Sequence, residues 1–599
     1  MINSRARFVT IGLILLVAGS LLPASASHAR GPQGRSATAG APKDYSEIKG
    51  LSQPRYETMT ESFEVEMDDG IMMYVEVVRP AKPGRYGTIL ELSPYHGTAA
   101  DRLGTRILPG PKGSDGAPIG LAGYFAPRGY AVVFADLRGT GRSEGCLDHM
   151  GPKDQADAKT IVEWAAKQKW SNGRVGMTGH SYVGSTPQMA AAQNPKGLVT
   201  IVPSAGLGAM YHHEFQIGVP YFLQWAGPLF AYEGLAIDRH LPPGIPPDPV
   251  TGGRPGDNFG NDMQYFGCGA TQSAAVTGEA YASGAEVDWH RERDFRKAAT
   301  KADIPMFLVH GINDNAARIM ASDWFIDRGG RPGDKAWIGQ WDHGTSRFPN
   351  SRTCMQSART PCEDDEWTEV LHAWFDKHLL GKKVDTGPPV EVFLNDGSIY
   401  TSTRWPVAAD EQLELFVDAD GSLDNRPADE GSVSYNADPD GFTDEFGTGH
   451  VSFTSGAVKQ DTLIAGVPKM HLQISVLGSP RVHVIPSLYD VSGGKTDRIG
   501  QSFCAVNPEL REGIDKPTPV IPTEIMSFDI ECQSQAHLLK KGHKLMLMIA
   551  SSHPDKVPTF ASGAQITVYS GGEEGTSVTL PVIYNPKTYT DHYGPGVPQ

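Results

Sequence analysis

The chain has 599 residues and sets 53 Lys and Arg against 69 Asp and Glu, a formal net charge of −16. That acidic excess argues against nucleic acid or an anionic membrane surface as a partner, and the length exceeds what one hydrophobic core organises, so two or three domains are expected. Six cysteines without close CxxC spacing speak for disulfides rather than a zinc site.

The first 29 residues read as a secretory signal peptide. Arg5 and Arg7 precede an apolar stretch from Phe8 to Leu22, and small residues at Ala24, Ala26 and Ala29 offer cleavage after Ala26 or Ala29. The apolar run is short for a membrane span, so a secreted, extracellular protein with no membrane attachment in its mature form is expected. Residues 30–44 are polar and Gly-rich and read as a disordered leader.

From Thr58 to Val199 short apolar strands (Ile89–Leu92, Ala131–Ala135, Val175–Thr178) alternate with a helix, Asp154–Lys167, whose Ile161, Val162, Trp164 and Ala165 share one face. This βαβ order predicts a parallel sheet, the first part of an α/β domain over 45–206. Within it VGMTGHSYVG sets Ser181 between Gly179 and Gly184, after a strand-like run and before a predicted helix in TPQMAAAQNP. A serine on such a turn is lifted clear of the sheet as a nucleophile elbow, although the second glycine falls three residues after the serine rather than two. In ADLRGTG, Asp136 and Arg138 read as a structural charge network at a sheet end.

The aromatic, Pro- and Gly-rich stretch 207–299 interrupts the alternation and reads as a cap inserted over the site. Strand pattern resumes in 300–385. The run Met306–Val309 leads to a turn ending at Asp314, and Trp337 and Ile338 lead to a loop carrying His343. Serine, aspartate and histidine thus follow strand ends in the order of an α/β-hydrolase triad, with a helix expected from about Ala316. The helix Glu366–Leu379 closes this unit. In 386–599 short alternating strands (VEVFLND, QLELFVD, KMHLQISVLG, RVHVIPSLYDV, KLMLMIASS, AQITVYS) separated by Gly, Asp and Pro predict a β-sandwich of jelly-roll type. DADGSLD from Asp418 reads as a hairpin turn rather than a calcium loop, and adjacent His212 and His213 point different ways and make a poor metal pair. Cys354 with Cys362 and Cys504 with Cys532 are the expected local disulfides, leaving Cys146 with Cys268, other pairings remaining open.

These segments together resemble the serine hydrolases grouped with cocaine esterase and the X-prolyl dipeptidyl-peptidases. The likeness rests on MDDGIMMYVEVVRP, SPYHG, ADLRGTGRSEG, WSNGRVGMTGHSYVG, HGINDN, WDHG, STRWP and KKGHKLMLMIASS. It implies an α/β-hydrolase domain with an inserted helical cap and a C-terminal jelly-roll, with Ser181 as nucleophile, Asp314 as orienter and His343 as general base. It further implies Tyr95 of SPYHG as an oxyanion donor through its hydroxyl, with the Tyr182 backbone N–H as the second donor, and no metal or organic cofactor.

For substrate, X-prolyl peptidases and related α-amino ester hydrolases hold a free ammonium group, which calls for a carboxylate near the nucleophile. The related amino ester hydrolases carry an acidic pair after the aspartate, where this chain has Asn315, Ala316 and Ala317; Glu214 is the candidate amine-binding acid, and Asn315 resembles part of an X-prolyl peptidase turn. The leading expectation is therefore X-prolyl dipeptidyl-peptidase-like cleavage of a small peptide or ester. A carboxylesterase of cocaine-esterase type is the alternative, and a non-catalytic glycan or cell-wall binding protein is the reading from another class.

Overall fold

Period-two alternation builds the first strands. β1 (Thr58–Glu66) and β2 (Met72–Pro80) turn every second side chain inward and pair antiparallel from Thr58↔Pro80 to Glu66↔Met72. The computed structural model describes residues 39–43, 45, 48–94, 120–221, 284–343, 366–438, 449–556 and 563–590. The signal-peptide segment, most of the cap and Tyr95 lie outside these residues. Residues 39–43, within the stretch read as a disordered leader, are held against the body: Lys43 pairs with Asp385 at 2.7 Å, and Thr401 donates to the Gly40 carbonyl at 2.6 Å.

The next strands lose the alternation because both faces are covered. β3 (Tyr86–Ser93) and β4 (Tyr130–Asp136) are buried throughout, α1 (Gly120–Phe125) lying between them in the chain. α2 (Pro152–Lys167), β5 (Ser171–His180), α3 (Tyr182–Gln193) and β6 (Leu198–Ser204) follow. After β6 come α4 (Met210–Glu214), a two-stranded ribbon of β7 (Phe215–Gln216) and β8 (Val219–Pro220), and the short helices α5 (Asp288–Arg291) and α6 (Arg296–Lys301). β9 (Phe307–Gly311), β10 (Lys335–Gly339), α7 (Glu366–Leu379), β11 (Val390–Phe393) and β12 (Ser398–Ser402) complete the unit.

The sheet order is β1-β2-β4-β3-β5-β6-β9-β10-β11-β12 and a final strand, Tyr589–Thr590. From β4 to β11 all neighbours are parallel, so their carboxyl ends share one edge. Alternate residues feed two cores. Leu90, Val133 and Met177 pack with Ile161, Val162 and Ala165 of α2 and Met189 of α3. Ile89, Val132 and Trp337 pack on the other side with Leu121 of α1 and Trp367, Leu371 and Trp374 of α7.

The strand in VEVFLND, expected in the C-terminal sandwich, is β11 and extends the α/β sheet instead. Its backbone completes the hydrogen bonds of β10, and Val390, Val392 and Phe393 fall into the two α/β cores. The C-terminal sandwich has its own core, including Leu472, Ile474, Leu547, Ile566 and Leu580. DADGSLD is the hairpin turn between Glu411–Val417 and Ser422–Asp424, with Gly421 at φ 88°. Cys504 and Cys532 form a disulfide with Cα atoms 4.7 Å apart. Cys146 is also disulfide-bonded, and Cys268, Cys354 and Cys362 lie outside the described residues. No helix of the described residues is long and apolar enough to cross a membrane.

Candidate active site

Three loops at the carboxyl edge of the parallel strands carry the site. β5 ends at His180, and Ser181 turns the chain directly into α3 with φ 65° and ψ −128°. A residue with a β-carbon held there stores about 1–3 kcal/mol, so the surrounding packing must enforce it. The spacing of the glycines follows from that packing. A β-carbon on Gly179 would lie 2.3 Å from the Val183 carbonyl oxygen, and one on Gly184 would lie 2.1 Å from the Ser204 carbonyl oxygen of β6. It is thus the approach of α3 to β6, not the turn alone, that requires glycine three residues after Ser181.

Asp314 follows β9 by three residues and is almost wholly buried. Its Oδ1 accepts from the amides of Ala316 (2.9 Å) and Ala317 (2.7 Å), so it caps its own turn. The helix expected from Ala316 is replaced by this turn and a 3₁₀ helix over Ile319–Arg328. His343 follows β10 by four residues. Its Nδ1 lies 3.0 Å from both oxygens of Asp314, and its Nε2 lies 2.9 Å from Ser181 Oγ. Burial alone would raise the Asp314 carboxyl, but the His343 charge and hydrogen bond, with His310 and the Ala316 amide, hold it down at about 2. A buried carboxylate, an imidazole and a part-exposed hydroxyl are thereby joined in one line. Such a line can orient the imidazole, deprotonate the hydroxyl and stabilise the imidazolium that forms.

Tyr182 begins α3, where backbone N–H groups point past the helix N-terminus. Its hydroxyl donates to Asp154 Oδ2 at 3.1 Å and accepts from the Met150 amide at 3.0 Å, which fixes the residue beside Ser181. Glu214, at the end of α4, is buried and not solvated. Its Oε2 lies 3.3 Å from His290 Nε2, and burial raises its carboxyl pKa. Asn315 is part-exposed next to Asp314. The two adjacent histidines do diverge. Burial pushes both down to about 3, yet His212 senses Arg296 and Asp294, whereas His213 senses His343, Arg318 and Asp314. Arg138 belongs to a structural charge network, clasping Asp157 (2.6 and 2.8 Å) and reaching Asp69 (2.9 Å), while Asp136 separately accepts from the Arg142 amide.

Two further groupings of serine, histidine and aspartate show that residue type and distance alone do not make a site. Ser52 Oγ lies 2.6 Å from His372 Nε2 and 2.8 Å from Asp376 Oδ1, but all three residues are buried. On the sandwich surface, Ser527 lies 3.0 Å from His471 Nε2, and His471 Nδ1 lies 2.7 Å from Asp529. These three sit on adjacent regular strands and Asp529 is 82% exposed, so water screens the pair and no strained turn lifts the hydroxyl. Sequence reasoning weighed His213 only as a metal ligand and did not single out Arg318, and both lie near the line of three. Arg318 follows Asp314 by four residues, a signal that spacing offers but that its burial alone reveals.

Fold and site geometry define an α/β hydrolase. The chain belongs to the X-Pro dipeptidyl-peptidase (S15) family: the model described as X-Pro dipeptidyl-peptidase (S15 family) matches residues 69–345, and that described as X-Pro dipeptidyl-peptidase C-terminal non-catalytic domain matches residues 382–596. It is similar to a protein of Streptomyces avermitilis named "Putative Xaa-Pro dipeptidyl-peptidase", 26% identical over 602 residues that cover 86% of this chain and 81% of that one. A cocaine esterase of a Rhodococcus species is 33% identical over 148 residues, 24% of this chain and 23% of that one. Among solved structures, a CocE/NonD family hydrolase of Staphylococcus aureus superposes with a TM-score of 0.69 at 18% identity, covering 88% of this chain and 94% of that one.

Proposed function

We propose that the protein is a serine hydrolase that cleaves a small peptide amide or ester through an acyl-enzyme, with X-prolyl dipeptidyl-peptidase-like specificity. The observation that carries this reading is the continuous line from Asp314 through His343 to Ser181 on a strained turn. Ser181 Oγ attacks the substrate carbonyl carbon while His343 Nε2 takes its proton, and Asp314 stabilises the imidazolium. The tetrahedral oxyanion is held by the Tyr182 amide at the head of α3 and by the Tyr95 hydroxyl. Collapse expels the amine or alcohol, which takes the proton from His343. Water, deprotonated by His343, then attacks the acyl carbon and releases Ser181.

Family membership and the Streptomyces relative favour a dipeptidyl-peptidase. The cocaine esterase likeness, and Ala316 and Ala317 standing where amino ester hydrolases carry acids, favour a carboxylesterase as the second reading. Glu214 is proposed to meet the substrate's ammonium group as the buried carboxylate that ends α4, where its present partner is His290 at 3.3 Å. The acidic chain with its N-terminal signal-like segment supports export, which N-terminal sequencing of the protein from culture medium tests.

The deciding assay compares Ala-Pro-p-nitroanilide, its N-blocked form and p-nitrophenyl acetate, for the parent and for Ser181→Ala. A dipeptidyl-peptidase cleaves the free anilide and loses at least 100-fold when the amine is blocked or Glu214 becomes Gln. Ester cleavage without anilide cleavage would replace that reading with the esterase, and turnover by Ser181→Ala would overturn both.

A further inference from the structure

The turn that carries Asp314 exposes carbonyl groups that need partners, and two buried bases supply them. His310 Nε2 reaches the Ala317 oxygen at 2.7 Å, and Arg318 Nη1 donates to the Asp314 oxygen at 3.1 Å. Arg318 is 1% exposed, and a guanidinium taken from water so completely needs a counter-charge. The Asp314 carboxylate faces His343 and makes no hydrogen bond to Arg318. The counter-charge comes from the far domain: Asp555 Oδ2 of the sandwich lies 3.1 Å from Arg318 Nη2.

Asp555 is itself fixed. Its other oxygen bonds His553 Nδ1, and His553 Nε2 accepts from Arg498 at 2.6 Å. Tyr221, from the described end of the cap segment, closes the assembly. Arg318 stacks over its ring at 4.5 Å, Lys556 Nζ lies 3.4 Å from the same ring, and Gln533 donates to its hydroxyl at 3.0 Å. The main chain agrees, since Tyr221 and Lys556 form an antiparallel bridge.

We propose that Asp555 and Arg318 are positioning residues through which the C-terminal sandwich holds the Asp314 carboxylate in line with His343. The inference rests on the serine hydrolase reading and extends it. The domain whose family description is non-catalytic thus supplies the charge that keeps the acid loop in register. Arg318 is suited to this because its fork hydrogen-bonds the Asp314 carbonyl with one nitrogen while the other makes an ion-pair contact with Asp555, an arrangement a lysine ammonium on a flexible stem does not reproduce. A displacement of the acid by about 1 Å is enough to cost on the order of 100-fold in rate.

The test is the rate and end point of labelling by a fluorophosphonate, together with kcat and KM on p-nitrophenyl acetate, for full-length Arg318→Lys, Asp555→Asn and Asp555→Glu. Arg318→Lys keeps the charge balance and is the variant expected to fold. We expect its labelling rate constant and kcat to fall 10- to 100-fold, with KM within twofold and the end point still one label per chain. Asp555→Asn should fall likewise, and Asp555→Glu should recover part of the loss. A purely structural role would lower the end point and leave the rate per labelled site unchanged, and that result, or parental rates in Arg318→Lys, overturns the proposal. Should Asp555→Asn not fold, Arg318→Lys still decides. Ser181→Ala separates the two levels: label retained there would overturn the serine reading, whereas its loss beside parental rates in Arg318→Lys would overturn the relay alone.

Discussion

Replacing Asp314 by Asn leaves the shape of the acid loop intact and removes one charge. In the parent, Oδ1 holds the Ala316 and Ala317 amides, and both oxygens face His343 Nδ1 at 3.0 Å. An asparagine can keep its oxygen on the two amides, so its NH₂ falls where Oδ2 was and confronts Nδ1. The imidazole then favours the tautomer with its proton on Nε2, which donates to Ser181 instead of accepting from it. The carboxyl is held at about 2 against an ordinary 3.8, a net preference for the charged form of roughly 2–3 kcal/mol at 1.36 kcal/mol per unit. Losing the carboxylate beside the imidazolium, together with the wrong tautomer, brings the expected loss in kcat to about 10³–10⁴-fold. The sign for stability follows from the lowered pKa. The parent has this contribution above about pH 4 and loses it as pH falls toward 2, whereas the variant lacks it throughout. Steady-state hydrolysis of p-nitrophenyl acetate, with near-ultraviolet circular dichroism as a control for folding, measures both. A folded Asp314→Asn enzyme within tenfold of the parent would refute the role given to Asp314.

Gly184→Ala places a β-carbon 2.1 Å from the Ser204 carbonyl, so α3 must back away from β6, and a loss of at least 100-fold in kcat/KM is expected. Ser527→Ala, on the exposed sandwich grouping, should leave turnover and fluorophosphonate labelling unchanged within twofold. Asp154 is buried beneath Tyr182, and burial followed by the Asp148 charge raises its carboxyl to about 7. A raised acid favours the fold at low pH and withdraws that support as pH rises through 7, by up to about 4 kcal/mol. Asp154→Asn should therefore gain in Tm relative to the parent between pH 5 and pH 8, and a constant difference across that range would refute the assignment.

The sheet and its helices were legible because β4 is a nearly continuous apolar run, β3 and β5 carry shorter ones in Ile89–Leu92 and Val175–Thr178, and α2 carries an apolar face; α7 begins and ends at the residues predicted. β11 misled because VEVFLND has the same alternation as the sandwich strands beyond it, and only its neighbour β10 decides which sheet it joins. Ser181, Asp314 and His343 stood out because each follows a strand end. Their approach to within 3.0 Å depends on strands β5, β9 and β10, which no local pattern relates. The sequence marked Glu214 as a candidate acid but not its partner, since its burial against His290 comes from a segment more than seventy residues away. Arg318 was silent for a similar reason, its partner Asp555 being in the other domain.

The most direct test of the central claim is to label the purified full-length protein with a fluorophosphonate and locate the adduct by peptide mass spectrometry. The account predicts one adduct per chain, on Ser181, and none in Ser181→Ala. An adduct on any other serine, or turnover that persists in the unlabelled Ser181→Ala protein, would contradict it.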